Sequence, residues 1–280
     1  MYTDQADVSD LRIRTTVESI VNFNSISTLV DIGCGVGIHS RWLAFKLQNI
    51  GKVIGFDIDS SVINQAIKTS QIMNVSNILF ESGDVYDIPL PDNYSDFVTC
   101  KNLFTVLNNA PKAINEMTRI LKPNGHIMLI EPASPFQLIY DPDDQIYTDI
   151  SLKLNRAFDE AWKKKSADQG IGLKLPGLCL NSGLINITVE TITNAHLISD
   201  YKRDKNDVLT QLKTESSTFS DSTINMLLDA GLSRQDIDAF QKRSSERFSS
   251  FSKNNSSISK SGYIRIMPTL LIILAQKSDS

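Results

Sequence analysis

Apolar residues recur along this chain in two alternating rhythms. Val17, Ile20 and Val21 fall at helical spacing within residues 15–23, and Asn24, Ser25 and Ser27 then break the pattern. A short apolar run at 29–32 follows as a first strand. Residues 40–47 return to helical spacing through Trp42, Leu43, Phe45 and Leu47, and residues 52–57 read as a second strand. The rhythm repeats: 60–73 helical, 77–81 extended, 95–100 extended, 110–121 helical and 125–131 extended. Strands alternating with helices at this spacing call for right-handed crossovers and a largely parallel sheet covered on both faces, an α/β architecture. Such a sheet takes ligands at the carboxyl ends of its strands, where Gly33, Asp57, Asp84, Lys101 and Glu131 fall.

Composition narrows the classes of function. With 280 residues, 41% of them hydrophobic, the chain can bury one substantial core with room for an insertion, so a single domain over 1–280 is expected. A net charge of -4 argues against a protein whose task is gripping a phosphate backbone, and nucleic acid is not an expected partner. The three cysteines, Cys34, Cys100 and Cys179, are odd in number and widely spaced, which indicates neither a disulfide framework nor a zinc site. Reduced thiols in a cytoplasmic protein are the expectation. Residues 1–10 lack the basic and apolar segments of a signal peptide, and no apolar run approaches the ~20 residues of a membrane helix, so no membrane partner is expected.

The chemistry begins at Leu29-Val30-Asp31-Ile32-Gly33-Cys34-Gly35-Val36-Gly37, an apolar strand joined to a glycine-rich turn with an acid at the junction. Glycines there let the backbone turn sharply and approach a ligand closely. In the dinucleotide fingerprint GxGxxG the third glycine would fall at position 38, which is Ile38, and a P-loop would place a lysine after Gly37. The DxGxGxG order resembles the first motif of class I S-adenosylmethionine-dependent methyltransferases. The resemblance implies that the turn, Asp31, Gly33, Cys34, Gly35 and Gly37, packs against the methionine portion of the cofactor, with Asp31 near its ammonium; His39, which opens the following helix, reads equally as a cofactor contact or as structural.

Other segments extend the resemblance in order. Asp57 ends the second strand where an α/β nucleotide site places a carboxylate to accept ribose hydroxyls, with Ile58 beside it. Gly83-Asp84-Val85-Tyr86-Asp87-Ile88-Pro89 is similar to the family's GDxxxLP segment, with Ile88 for the leucine. That implies that Asp84 accepts from the adenine amine and that the Val85 amide addresses the ring. Leu121-Lys122-Pro123-Asn124-Gly125 is similar to the LKPGG-type turn, and its Asn124 tolerates the left-handed conformation such a turn demands. Lys101 and Asn102, after the fourth strand, complete the cofactor set. The implied fold is a Rossmann-like, seven-stranded, mostly parallel sheet with helices on both faces, an antiparallel seventh strand and helical cap insertions.

The cofactor-binding core spans residues 10–131. Beyond it, the stretch from 175 resembles the helix and turn before a sixth strand at 185–192, and 269–275 the seventh strand. Roughly 75 residues separate these two strands, far more than an ordinary loop. Within them 221–230 and 234–248 read as amphipathic helices, with Gly231 and Ser233 as a stop and an N-cap. Residues 249–262, rich in Ser, Asn and Lys, read as a solvated loop, with a lid as the sharper alternative. The cap candidates are therefore 133–174 and 199–262. Asp141, Asp143 and Asp144 are expected to cap and solvate, and no metal is expected.

Methyl transfer from a sulfonium rests on positioning and on a dry pocket, so a general base is optional. The candidates for one are His39, Asn102 and Glu131, with helix capping the plain alternative for Asn102. His126 reads as structural, and His196, after the sixth strand and outside the usual active face, as a weak candidate. Phe104, Tyr140 and Trp162 are candidate substrate contacts, although aromatic residues at helical spacing are usually core. The residues after the fourth strand do not match the base-clamping motifs of nucleic-acid methylases. The expected reaction is transfer of a methyl from S-adenosyl-L-methionine to N, O or C of a small molecule, leaving S-adenosyl-L-homocysteine. A peptide acceptor, a noncatalytic cofactor binder and a dinucleotide oxidoreductase stand as alternatives, and a monomer or homodimer is expected.

Overall fold

A computed structural model of the chain describes residues 6–48, 51–133, 138–164, 168, 170–193, 195–200, 204–253, 258, 261–266 and 270–279. Helix α1 (Ala6–Ile20) begins well before the predicted 15–23 and ends earlier. The Asn22 side chain accepts the Asn24 N–H and starts a short 3-10 turn, Phe23–Ser25, so local side-chain bonding wins over continued helix. The chain then runs through β1 (Thr28–Ile32), α2 (Ile38–Leu47), β2 (Lys52–Asp57), α3 (Ser60–Ile72), β3 (Ile78–Ser82), β4 (Ser95–Lys101), α4 (Ala110–Ile120) and β5 (Leu121–Pro132). Strand β5 starts at Leu121 rather than 125, because Leu121 pairs with Ser95 across an irregularity that carries Asn124 at φ 62°.

The second half contributes β6 (Leu138–Tyr140), α5 (Gln145–Lys164), α6 (Leu175–Asn181), β7 (Leu184–Ile192), β8 (Ala195–Leu197), α7 (Lys205–Glu215), α8 (Asp221–Asp229), α9 (Arg234–Lys253), β9 (Ile264–Ile266) and β10 (Leu270–Lys277). Seven strands form one sheet in the order β3-β2-β1-β4-β5-β10-β7. The first five pair parallel, and β10 lies antiparallel between β5 and β7. β1 leads to β2 on one side while β4 lies on the other, so the strand order reverses there and opens a crevice at the carboxyl ends.

Strand alternation sends Val30, Ile32, Val98, Ile127 and Leu129 to one face of the sheet and Leu29, Val53, Phe97, Met128 and Ile130 to the other. Helix α4 covers the first face with Ala113, Ile114, Met117 and Ile120, a helical stripe of fully buried side chains. Each large one contributes about 1.5–3 kcal/mol through burial. Helices α1 and α2 cover the second face with Ile13, Val17, Leu43 and Leu47.

The chain divides into two compact units: Met1–Ala133, Gly170–Ile192 and Leu270–Ser280 form the first, and Ser134–Gln169 with Thr193–Thr269 the second. The second unit packs α5, α7, α8 and α9 with a three-stranded antiparallel sheet, β6-β9-β8, around Tyr147, Leu212, Leu227, Ile237, Phe240 and Tyr263. Arg247 lies over the rings of Tyr147 and Tyr263 at 4.0 and 4.7 Å and pairs with Asp141. The solvated loop expected over 249–262 is corrected in part: α9 continues to Lys253 because Phe248 and Phe251 pack against this core, and Ile258 is buried. Residues 254–257 and 259–260 lie outside the described residues. No described helix is long and apolar enough to cross a membrane.

Candidate functional site

The glycine turn between β1 and α2 is built on left-handed backbone at Gly33, Gly35 and Gly37, with φ of 70°, 52° and 78°. The amides of Gly33 and Cys34 both donate to the Phe56 carbonyl, at 2.8 and 2.9 Å, which ties the turn to β2. A Cβ on Gly33 would lie 2.9 Å from Leu103 Cδ1, and one on Gly37 would lie 2.5 Å from the Phe80 ring. At Gly35 it would meet nothing within 4 Å. Gly33 and Gly37 thus serve packing as well as handedness, whereas Gly35 presents an open backbone face to an incoming group.

Asp57 closes the same corner. Its Oδ2 accepts the Gly35 N–H at 2.9 Å and its Oδ1 the Asp59 N–H at 3.0 Å, which fixes the carboxylate and leaves each oxygen a further lone pair. Ile58 beside it is 76% exposed. Asp31 is 1% exposed and accepts from Ser40 Oγ at 2.5 Å. Burial pushes its carboxyl up to about 7, against the Ser40 hydrogen bond and the favourable charge of Lys101. Cys34 is buried, and burial with the negative charge of Asp31 and Asp57 holds its thiol protonated.

The segment after β3 joins this corner through the Gly83 amide, which donates to the Asp57 carbonyl at 3.0 Å. Asp84 is exposed, and its Oδ1 accepts the Tyr86 N–H at 2.9 Å, while Val85 is buried. Past β4, Asn102 is exposed at φ 57° with its N–H on the Ile130 carbonyl at 2.9 Å. The capping role weighed for Asn102 belongs to Asn109, whose Oδ1 accepts the Lys112 N–H at the start of α4.

Other candidates take different places. Glu131 is fully buried, and its Oε1 accepts the Leu103 and Phe104 amides at 2.7 and 3.0 Å. Burial pushes its carboxyl up to about 7 as well. Phe104 sits inside the core of the first unit, so its ring packs and offers no surface to a substrate. His39, half-buried at the start of α2, lies 5.5 Å from the Trp42 ring. Tyr140, ending β6, and Trp162, in α5, belong to the second unit and are partly exposed. His126 lies within β5 and His196 within β8. Among the described residues no group of three His, Cys, Asp or Glu could hold a metal ion.

Leu103, after the fourth strand, packs on Gly33. Two supporting residues were not marked by the sequence: Ser40 holds Asp31, and Arg41 Nη1 donates to the Val36 carbonyl at 2.8 Å. Periodicity marks only whether such residues face inward, so nothing in the sequence distinguishes them from ordinary helix and turn positions.

Residues 30–129 match the family described as Methyltransferase domain. The chain is similar to an uncharacterized methyltransferase, YcgJ, of Bacillus subtilis, at 29% identity over 50% of this chain and 51% of that protein. It is also similar to a demethylmenaquinone methyltransferase of Oceanobacillus iheyensis, at 26% identity over 62% of this chain and 76% of that protein. The chain spans about half the length of the first curated relatives it matches, 54% and 51%. The crystal structure of YcgJ superposes with a TM-score of 0.56 at 17% identity, over 97% of this chain and 98% of that one. A Haemonchus contortus phosphoethanolamine N-methyltransferase, solved with S-adenosyl-L-methionine, gives 0.56 at 13% identity, over 96% of this chain and 52% of that one. Both structures share the fold described here.

Proposed function

Since residues 30–129 match a methyltransferase-domain family, we propose that the chain is a class I S-adenosylmethionine-dependent methyltransferase that moves the methyl group of S-adenosyl-L-methionine to a nucleophilic N, O or C atom of a small molecule, leaving S-adenosyl-L-homocysteine. The observation that carries this reading is the open face of left-handed Gly35 beside the fixed Asp57 carboxylate. The donor set suits this cofactor, which has hydroxyls, an ammonium and an exocyclic amine but no phosphate. Asp57, Asp31 and Asp84 are acceptors for these three groups in turn, and Gly37 is followed by Ile38 and His39 rather than by a phosphate-binding lysine.

When bound, the cofactor supplies an electrophilic sulfonium methyl. The chain's own task is to hold and orient it: Asp57 by its free lone pairs, the turn by its glycine backbone, Ile58 by apolar contact and Val85 by its amide. A small-molecule acceptor is supported by curated relatives named for demethylmenaquinone and for C-methylation in ubiquinone and menaquinone biosynthesis.

Incubation with labelled S-adenosyl-L-methionine and a metabolite extract tests the reading, and label is expected in the low-mass fraction. Label in peptides instead would move the acceptor class, and cofactor binding without transfer across varied extracts would favour a noncatalytic binder. A thermal shift with NAD and none with S-adenosyl-L-homocysteine would overturn the cofactor assignment. Asp57→Ala is expected to weaken S-adenosyl-L-homocysteine roughly 10- to 100-fold in calorimetric titration, the loss of one or two hydrogen bonds to a charged group. An unchanged affinity would remove Asp57 from the site.

A further inference from the structure

The buried carboxylate of Glu131 lies outside the set of groups that would face the cofactor, yet its contacts hold the segment whose Leu103 packs on the glycine turn. Its Oε1 accepts the amides of Leu103 and Phe104, at 2.7 and 3.0 Å, at the start of the 3-10 turn Phe104–Val106, whose own N-terminal flank provides no side-chain cap. The Cys100 thiol adds a weaker donation at 3.8 Å. Left-handed Asn102 reverses the chain just before these amides, and its N–H is held by the Ile130 carbonyl. The whole segment after β4 is therefore fastened to the end of β5. Leu103 leaves that segment directly over Gly33, with Cδ1 only 2.9 Å from where a Cβ on that glycine would be.

We propose that Glu131 is a positioning residue for the cofactor turn: by capping the Phe104–Val106 turn from the neighbouring strand it holds Leu103 against Gly33 and so sets where the glycine backbone stands. The inference rests on the function proposed above. An apolar residue at 131 would fill the space but leave two amides without their acceptor. Oε2 is buried with no hydrogen-bond partner among the described residues, so one oxygen does the holding.

This predicts a split between two variants. Glu131→Gln keeps an acceptor oxygen for both amides, and S-adenosyl-L-homocysteine affinity is expected to stay within about threefold of wild type. Glu131→Ala removes the cap, and affinity is expected to fall about tenfold or more. Melting temperature falls in both, since the Gln amide puts N–H groups where Oε2 lacks a partner; affinity is what separates them. Leu103→Ala is expected to weaken binding like Glu131→Ala, and the double variant to add little. It also tests the link should Glu131→Ala not fold. Wild-type affinity in both Leu103→Ala and Glu131→Ala would overturn the positioning role, as would equal losses in Glu131→Gln and Glu131→Ala. No binding of S-adenosyl-L-homocysteine by the wild-type protein would instead overturn the functional reading.

Discussion

Asp31 is the residue on which the site's electrostatics turn. Burial raises its carboxyl from an ordinary value near 4 to about 7, and Glu131 is raised to about 7 from a similar start. Between those limits the folded protein binds more protons than the unfolded chain. The stability contributed is full below about pH 4, declines as pH rises, and is lost above about 7. Urea midpoints are therefore expected to fall from pH 5 to pH 7.5, and Asp31→Asn to flatten roughly half of that decline; equal slopes would place the titration elsewhere. On the proposed reading the cofactor's ammonium stabilises the Asp31 carboxylate, so binding near pH 6 is expected to release protons, seen as a buffer-dependent heat in calorimetry. The acid itself was legible as the polar residue ending an apolar strand before a glycine turn. Its partner Ser40 was not, because a serine on the inner face of a helix start looks like any other.

At the scale of elements, the glycine turn separates two jobs that its motif writes alike. Gly37→Ala forces a left-handed alanine against the Phe80 ring, and its cost is expected at about 2–4 kcal/mol of stability, from backbone strain and overpacking together. Gly35→Ala carries the backbone strain of about 1–2 kcal/mol without a clash, and places its methyl on the open face. Melting curves and S-adenosyl-L-homocysteine titration should therefore divide the pair: Gly37→Ala loses mainly stability, Gly35→Ala mainly affinity. Equal profiles would show that the open face is not where the ligand stands. From β1 to β5 the elements were readable because each strand and helix is long enough to display its period. The strands β6, β8 and β9 have three residues each, too few to show alternation, and their pairing depends on partners far away in sequence. The continuation of α9 beyond Phe248 was hidden by serines, whose polarity masked Phe251 one helical turn further on.

For the whole molecule, the chain forms two compact units, and the residues proposed for the cofactor all belong to the first. Two stretches read as independent insertions share one core in the second unit, a convergence decided by tertiary packing and invisible to local pattern. Arg247→Met there leaves Asp141 buried without its ion pair, and a loss of about 3–5 kcal/mol is expected in that unit. Every residue assigned to the cofactor lies in the first unit, so S-adenosyl-L-homocysteine affinity below the melting range is expected within twofold of wild type, to the accuracy of independent sites. A large affinity loss would show that the units are energetically coupled. The position of β10 bears on how the chain is made. Because the strand that pairs with β5 is encoded after the entire second unit, a growing polypeptide on the ribosome carries the unpaired edge from His126 to Pro132 while the intervening residues are translated, roughly 7 to 28 s at the usual rate. Open strand edges recruit other chains, so the yield of folded protein should depend on translation speed and on chaperones that shield that edge.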